Sequence, residues 1–269
     1  MVVFPFCKIN LGLSVLSKRA DGFHDLETCF YPVPWTDVLE IILSDRFTFT
    51  TSGNDIPGDP QDNLCVKAYH LLKKDFHLGP VNMHLHKIIP SGAGLGGGSS
   101  DAAHVLQMLN TIFSLNISQS KLMDYAAMLG SDCAFFINDK PMIGTSRGEV
   151  LRKIDFSLNK FLVIVKPDIN VSTRDAFSGI TPRPVDISVS DVILNHHLNE
   201  WKGLLSNAFE ETVFRKYPSL ASVKKRLYDL GAAYASMTGS GSSLFGIFET
   251  ETDILEEFPD ALHWSGFVN

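Results

Sequence analysis

Val81-Asn-Met-His-Leu-His-Lys-Ile-Ile-Pro90-Ser-Gly-Ala-Gly-Leu-Gly-Gly-Gly-Ser-Ser-Asp101-Ala-Ala is the stretch whose reading settles the fold. Apolar Val81, Met83 and Leu85 alternate with polar Asn82, His84 and His86, the period-2 pattern of a half-buried strand that runs to Ile89 and is closed by Pro90. Past the glycines, Ala102, Leu106, Leu109 and Phe113, with Ala103, Val105 and Ile112 beside them, recur at helical spacing. The order is strand, glycine loop, helix, with Ser99, Ser100 and Asp101 opening the helix. Gly92, Gly94, Gly96, Gly97 and Gly98 let backbone amides turn toward a ligand with no Cβ in the way, and a helix N-terminus adds roughly half a positive charge there. The segment reads as a phosphate cradle. No Gly-Lys-Ser/Thr follows, so it is not the Walker pattern, and the dinucleotide-binding spacing fits only loosely.

Working outward, a second helix takes Ser118 or Ser120 as N-cap, Leu122, Tyr125, Ala126 and Leu129 as its apolar face and Gly130 as a left-handed stop, with Asp132 just beyond. The opening of the chain reads as strands. Phe161 to Val165 is a buried strand closed by Pro167, and Leu220, Val223, Leu227 and Leu230 form a helical stripe capped by Ser219 and stopped by Gly231. Ala232 to Met237, the turn Thr238-Gly-Ser-Gly-Ser-Ser243 and Leu244 to Phe248 then give strand, turn and strand. The boundary falls near residue 155, which divides the chain into 1–155 and 156–269, a two-domain α+β protein.

Composition narrows the class. With 269 residues, 45% hydrophobic and 20% charged, the chain holds enough apolar material for a core and too little charge for disorder. A formal charge of −7 repels phosphate polyanions as a whole, which argues against sequence-independent nucleic-acid or membrane-surface binding. Cys7, Cys29, Cys65 and Cys133 form no CxxC pair and read as free thiols in a reducing compartment. The apolar N-terminal stretch is interrupted by Pro5, Lys8 and Asn10 and lacks a signal-peptide pattern, and no apolar run approaches the roughly 18 residues of a membrane span. A cytoplasmic protein is expected.

Several residues admit two readings. Lys8, inside the apolar run Phe6-Cys-Lys-Ile-Asn-Leu11, either pairs with an anion or snorkels from an edge strand. Asp132 either does chemistry or caps a helix. Lys18 to Thr28 forms a polar turn whose Phe23 and His24 suit a base-stacking site, or a solvated turn with Phe23 tucked into the core. Thr238 to Ser243 is a second amide nest or a tight turn. His84 and His86 share a strand face without a third ligand, and neighbouring His196 and His197 point apart, so neither pair argues for a metal.

Three segments in order, Phe6-Cys-Lys-Ile-Asn-Leu11, Pro90-Ser-Gly-Ala-Gly-Leu-Gly-Gly-Gly-Ser-Ser-Asp101 and Met237-Thr-Gly-Ser-Gly-Ser-Ser243, resemble the small-molecule kinases named after galactokinase, homoserine kinase, mevalonate kinase and phosphomevalonate kinase. Lys8-Ile-Asn-Leu-Gly-Leu13, Arg19-Ala-Asp-Gly-Phe-His24, the triple glycine and Gly130-Ser-Asp132 are similar to the branch that acts on a cytidine-diphosphate-linked methylerythritol in the non-mevalonate isoprenoid route. The resemblance implies an N-terminal ribosomal-protein-S5-domain-2-like ATP-binding domain and a C-terminal ferredoxin-like α/β domain. It implies an ATP- and Mg²⁺-dependent kinase phosphorylating the substrate's 2-hydroxyl, a monomer or weak homodimer without nucleic-acid or membrane partners. Carried over by position, it makes Lys8 and Asp132 the catalytic pair and Pro90, Gly92, Gly94, Leu95, Gly96, Gly97, Gly98, Ser99 and Ser100 the ATP site. It places Asn10, Phe23, His24, Asp132, Thr173 and Phe177 at the substrate. Phe23 stands where the family often has tyrosine, which removes one hydroxyl from the nucleotide site. Cys7 replaces a usual alanine and Ala134 a usual proline, both read as packing changes. The rivals are a related kinase acting on a carboxylate substrate, for which no arginine or lysine clamp stands out near Phe23, His24 and Phe177, and a non-catalytic nucleotide-binding regulator.

Overall fold

The computed structural model describes residues 1–254 and 256–269. The opening is strand, as expected: β1 (Val2–Val3), β2 (Phe6–Lys18), β3 (His24–Thr36), β4 (Val38–Leu43) and β5 (Thr48–Gly53). Next come α1 (Leu64–Asp75), β6 (Val81–Lys87), α2 (Gly97–Ile112), α3 (Gln119–Leu129), β7 (Met142–Ser146), β8 (Val150–Lys153) and β9 (Lys160–Lys166). Helices α4 (Thr173–Ser178), α5 (Val189–Asn195), α6 (Trp201–Leu204), α7 (Glu210–Lys216) and α8 (Pro218–Asp229) precede β10 (Tyr234–Met237), β11 (Leu244–Phe248) and β12 (Leu262–Val268). Packing divides the chain into one unit of Met1–Lys8, Pro34–Ser91 and Gly96–Asp139, and a second of Ile9–Val33, Gly92–Leu95 and Lys140–Asn269. Both are discontinuous in sequence, whereas a cut near residue 155 follows chain order.

In the first unit the sheet order is β1-β4-β6-β5, with β4 antiparallel and β5 parallel to β6. Alternation buries Leu39 and Ile41 of β4 and Val81, Met83 and Leu85 of β6, while α1 buries Val66, Tyr69 and Leu72 and α2 buries Val105, Leu106 and Leu109. Strand β6 stops at Lys87, two residues short of Ile89. The reason is a side chain: Asp37 Oδ1 accepts from the Ile88 and Ile89 amides at 2.6 and 2.8 Å, so those donors leave the ladder. Helix α2 starts at Gly97, ahead of Ser99, and Phe113 is its C-cap. Ser118 caps α3 by accepting from the Lys121 amide at 3.3 Å. Gly130, expected as a left-handed stop, instead has φ 178°, extended backbone open to any residue.

The second unit holds two four-stranded sheets, β2-β3-β7-β8 and β10-β11-β9-β12. Every neighbouring pair in the latter is antiparallel. Counted in chain order its strands stand 2-3-1-4, with helices between the first and second, which is the ferredoxin-like split β-α-β arrangement. Between β11 and β12 the described residues carry no helix. Its core gathers Val163, Val165, Phe209, Leu220, Leu227, Met237 and Leu244. Ser219 does not cap α8: Pro218, with its φ already set for a helix, takes the first helical position and Tyr217 the cap. Gly231, at φ 97°, does stop it in the left-handed region.

Leu227 projects from α8 into that core with no solvent exposure. Replacing it with alanine is expected to cost about 2–5 kcal/mol of stability, read as a lower denaturant midpoint at constant slope. A loss under about 1 kcal/mol would contradict the tight packing around this site.

Candidate functional site

Within the first unit, Lys8 leaves β2 with only 2% exposure, and its Nζ lies 3.4 Å from Asp132 Oδ2. A buried ammonium requires such an anion, so Lys8 does not snorkel to solvent. Asp132 lies just past α3, where the backbone enters the short 3₁₀ turn Cys133–Ile137, and its side chain makes no capping hydrogen bond there. It is directed to Lys8 instead, with about a third of the side chain still open to solvent (36%). Gly96 brings the loop close to this pair. Its φ is +71°, and a Cβ there would lie 2.8 Å from Phe136 Cζ and 3.2 Å from Lys8 Cε. The turn therefore needs glycine both for conformation and for space. Gly98 is exposed and Ser99 half-buried at the start of α2, while Ser100 is fully buried and Pro90 buried.

Behind the loop lies a second ion cluster, absent from the expected site. Lys87 Nζ contacts Asp37 Oδ2 and, at 2.8 Å, Asp101 Oδ2, and all three residues are buried. Burial pulls the Lys87 ammonium down, but the two carboxylates outweigh it and hold it above its ordinary value. Burial pushes the Asp101 carboxyl up to about 7, more than neighbouring Lys87 offsets.

In the second unit the other half of the loop rests on the turn from Thr238. Gly94 has φ +78°, and a Cβ there would lie 2.2 Å from the Thr238 carbonyl oxygen. Thr238 Oγ1 lies 3.2 Å from both the Gly94 carbonyl and Asn10 Oδ1, and accepts from the Asn10 amide at 3.1 Å. The Ser243 amide donates to the Ala93 carbonyl at 3.2 Å. Asn207 Nδ2 donates to the Met237 and Gly239 carbonyls at 2.7 and 2.8 Å, bracing the turn from below. Of the two readings of Thr238–Ser243, these contacts support a bracing turn. Asn10 is buried, with Nδ2 donating to Thr28 Oγ1 at 2.9 Å, so its side chain faces partners inside this unit at both ends.

Aromatic residues of this unit stack from the core outward. His24 stacks on Phe177, centroids 5.1 Å apart and planes 23° from parallel, and Phe177 meets the edge of Phe209 at 4.7 Å. Phe23 is 53% exposed, which sets aside the reading that tucks it into the core. Arg147 lies over its ring, Cζ 4.8 Å from the centroid. Arg19 braces the turn by donating to Asp21 at 3.0 Å, Asp25 at 3.0 Å and Ser146 Oγ at 2.9 Å. The Arg19 hydrogen bonds hold the Asp21 carboxyl below the usual carboxylate range. Thr173 is exposed, its Oγ1 3.4 Å from Ser240 Oγ.

The sequence reading thus named Lys8, Asp132, His24 and Phe177, and the structure brings the first two together as an ion pair and the last two together as a stack. It missed Asp37, Lys87, Thr238 and Arg147 as partners. Lys87 had a signal, since it occupies an inward-facing position of a strand where the period-2 pattern calls for an apolar residue. His84 and His86 direct their ring nitrogens to Thr50 and Ser52 at 2.8–2.9 Å. Among the described residues no group of three or more His, Cys, Asp or Glu side chains could hold a metal ion, and no helix is long and apolar enough to cross a membrane.

An ammonium–carboxylate pair beside a glycine loop that opens a helix, on an α+β scaffold, is an arrangement that suits a small-molecule kinase. The sequence matches the N-terminal domain of GHMP kinases over residues 63–140 and the C-terminal domain of GHMP kinases over residues 191–262, and the chain belongs to this kinase family. Within it the similarity is to 4-diphosphocytidyl-2-C-methyl-D-erythritol kinases. The enzyme of that name from Bacteroides fragilis is 52% identical over 259 residues, with 94% of each chain covered. The one from Cytophaga hutchinsonii is 48% identical over 260 residues, with 96% of each covered. A crystal structure of 4-(cytidine 5'-diphospho)-2C-methyl-D-erythritol kinase superposes with a TM-score of 0.84 at 29% identity, covering 100% of this chain and 99% of that one.

Thr238→Val keeps the volume but removes the hydroxyl that serves Asn10 and Gly94. It is expected to lower stability by about 1–3 kcal/mol, measured by denaturant unfolding, because the buried Asn10 amide N–H loses its acceptor. An unchanged midpoint would show that these bonds are replaced by others.

Proposed function

We propose that the protein transfers the γ-phosphoryl group of ATP to the 2-hydroxyl of 4-diphosphocytidyl-2-C-methyl-D-erythritol, with Lys8 and Asp132 as the catalytic pair. The observation that carries this reading is the 3.4 Å pairing of Lys8 with Asp132 beside the Gly96 turn. Phosphoryl transfer passes through a loose transition state, so the protein's work is mainly positioning and neutralising charge. Asp132, with its side chain partly open, accepts the proton of the attacking hydroxyl as the new P–O bond forms and the bond to the ADP oxygen breaks. Lys8 orients that carboxylate and offsets charge developing on the transferring group.

The amides of Gly96 to Ser99 at the N-terminus of α2 suit the nucleotide phosphates, since an oriented set of backbone donors binds anions without a net positive protein, whereas the Ser100 amide already donates to the Gly96 carbonyl at 2.9 Å. By the resemblance, Gly92, Gly94 and Leu95 of the second unit are also assigned to the nucleotide. His24, with Phe177 stacked on it and Phe23 beside it, suits a flat uncharged base, and its ring nitrogens can read the hydrogen-bonding edge of cytosine. Thr173 and Asn10 belong to the same substrate region in this reading. The residues present fit a Mg²⁺ that arrives with the nucleotide: this ion retains waters and needs only one or two protein oxygens besides phosphates. Ser99, half-buried at the loop, would meet it, whereas Ser100 is sealed from solvent. When bound, Mg²⁺ neutralises the phosphate oxygens.

Asp132→Asn is expected to lower kcat at least about a hundredfold with nucleotide affinity little changed. Most of the turnover surviving would remove Asp132 from the base role. Lys8→Ala should reduce kcat by a larger factor than it raises KM for ATP, and the reverse pattern would make Lys8 a binding residue only. The assay compares cytidine-linked methylerythritol with carboxylate acceptors such as homoserine and mevalonate; preferential phosphorylation of a carboxylate would overturn the substrate assignment.

A further inference from the structure

We propose that the buried cluster of Asp37, Lys87 and Asp101 positions the two ends of the glycine loop in the first unit, and that Asp101 is a positioning residue for nucleotide binding. The inference rests on the reading of this loop as the phosphate cradle. None of the three side chains is placed to touch a ligand, since their residues are 0%, 3% and 1% exposed. Sealing two carboxylates around one ammonium is costly, and a well-packed apolar cluster would serve stability as well or better. What the cluster does offer is a fixed geometry between separate chain segments.

Each partner holds a different piece of the loop. Asp37, at the junction of β3 and β4, uses Oδ1 to accept the Ile88 and Ile89 amides, which fixes the chain as it leaves β6 and approaches Pro90. Its Oδ2 pairs with Lys87, the last residue of β6. Lys87 reaches across to Asp101, one turn into α2, at 2.8 Å. Gly97, the first residue of that helix, lies directly on the cluster: a Cβ there would come within 2.9 Å of both Lys87 Nζ and Ile89 Cγ2. The loop's entry and exit are therefore bolted to one ammonium, and the direction of the first amides of α2 follows.

The same link disposes of a charge conflict. A carboxylate in the first turns of a helix competes with an incoming phosphate for the positive end of the dipole. Lys87 turns the Asp101 carboxylate inward and pairs it. Its second oxygen, Oδ1, is buried without a hydrogen-bond partner among the described residues, and the ion pair of Oδ2 with Lys87, beside Asp37, anchors the group.

The test measures dissociation constants for a non-hydrolysable ATP analogue with Mg²⁺ by titration calorimetry, beside melting temperatures and steady-state constants for the intact chain. Asp101→Ala leaves the Lys87 and Asp37 pair intact but frees α2, and should weaken analogue binding at least about tenfold while KM for the alcohol substrate changes little. Asp101→Asn, whose side-chain oxygen can still accept from Lys87, should bind within about threefold of the parent. Should the alanine variant not fold, Asp101→Ser, too short to reach Lys87, is expected to give the same loss. A folded Asp101→Ala or Asp101→Ser protein that melts lower yet binds the analogue as the parent does would reduce the cluster to a structural role and overturn the inference. If the parent itself fails to bind the analogue, the cradle reading falls and the inference with it.

Discussion

A lysine ammonium that is almost entirely withdrawn from water must be answered by an anion, and the proposed chemistry hangs on that requirement at Lys8. The strand that carries it is otherwise apolar, with Cys7, Ile9 and Leu11 fully buried. Asp132 supplies the answering charge from the far side of α3. The carboxylate is partly open while the ammonium is sealed, so the pair presents a carboxylate oxygen outward and keeps its counter-charge behind. The tight turn at Gly96 places backbone, which has no charge to compete, against the lysine stem.

Two ion clusters sit in the first unit and differ in solvent access. Lys8 and Asp132 keep one partner accessible. Asp37, Lys87 and Asp101 keep none, and all of their geometry faces chain segments. The second unit works by other means: neutral hydrogen bonds from Thr238, Asn207 and Ser243 shape its half of the loop, and the stacked rings of His24 and Phe177 rest on the buried ring of Phe209. In the proposed mechanism a chain of net charge −7 handles phosphates because amide dipoles and a local cation act where the overall field would repel.

How much was legible follows from the range of the interactions involved. Strand, glycine loop and helix across residues 81–112 could be read directly, because period-2 and helical spacing are local consequences of backbone geometry. Element ends were less so. Ser219 resembles a cap, but Pro218 and Tyr217 took the terminus. Ile88 and Ile89 continue the strand pattern, yet Asp37, about fifty residues away in sequence, takes their amides. Gly130 looks like a left-handed stop, but the chain passes it extended and puts Asp132 within reach of Lys8.

The order of residue types along the chain was enough to specify that a glycine loop opens a helix, that a lone lysine and a lone aspartate in apolar surroundings each need an explanation, and which family of kinases the motifs belong to. Pairing those two residues, sealing Lys87 between two carboxylates, exposing Phe23 under Arg147 and turning Asn10 toward Thr28 and Thr238 were settled only by tertiary structure. The physical reason is that hydrogen bonds and ion pairs act over a few ångströms of space, and segments far apart in sequence come that close only once the apolar core has folded.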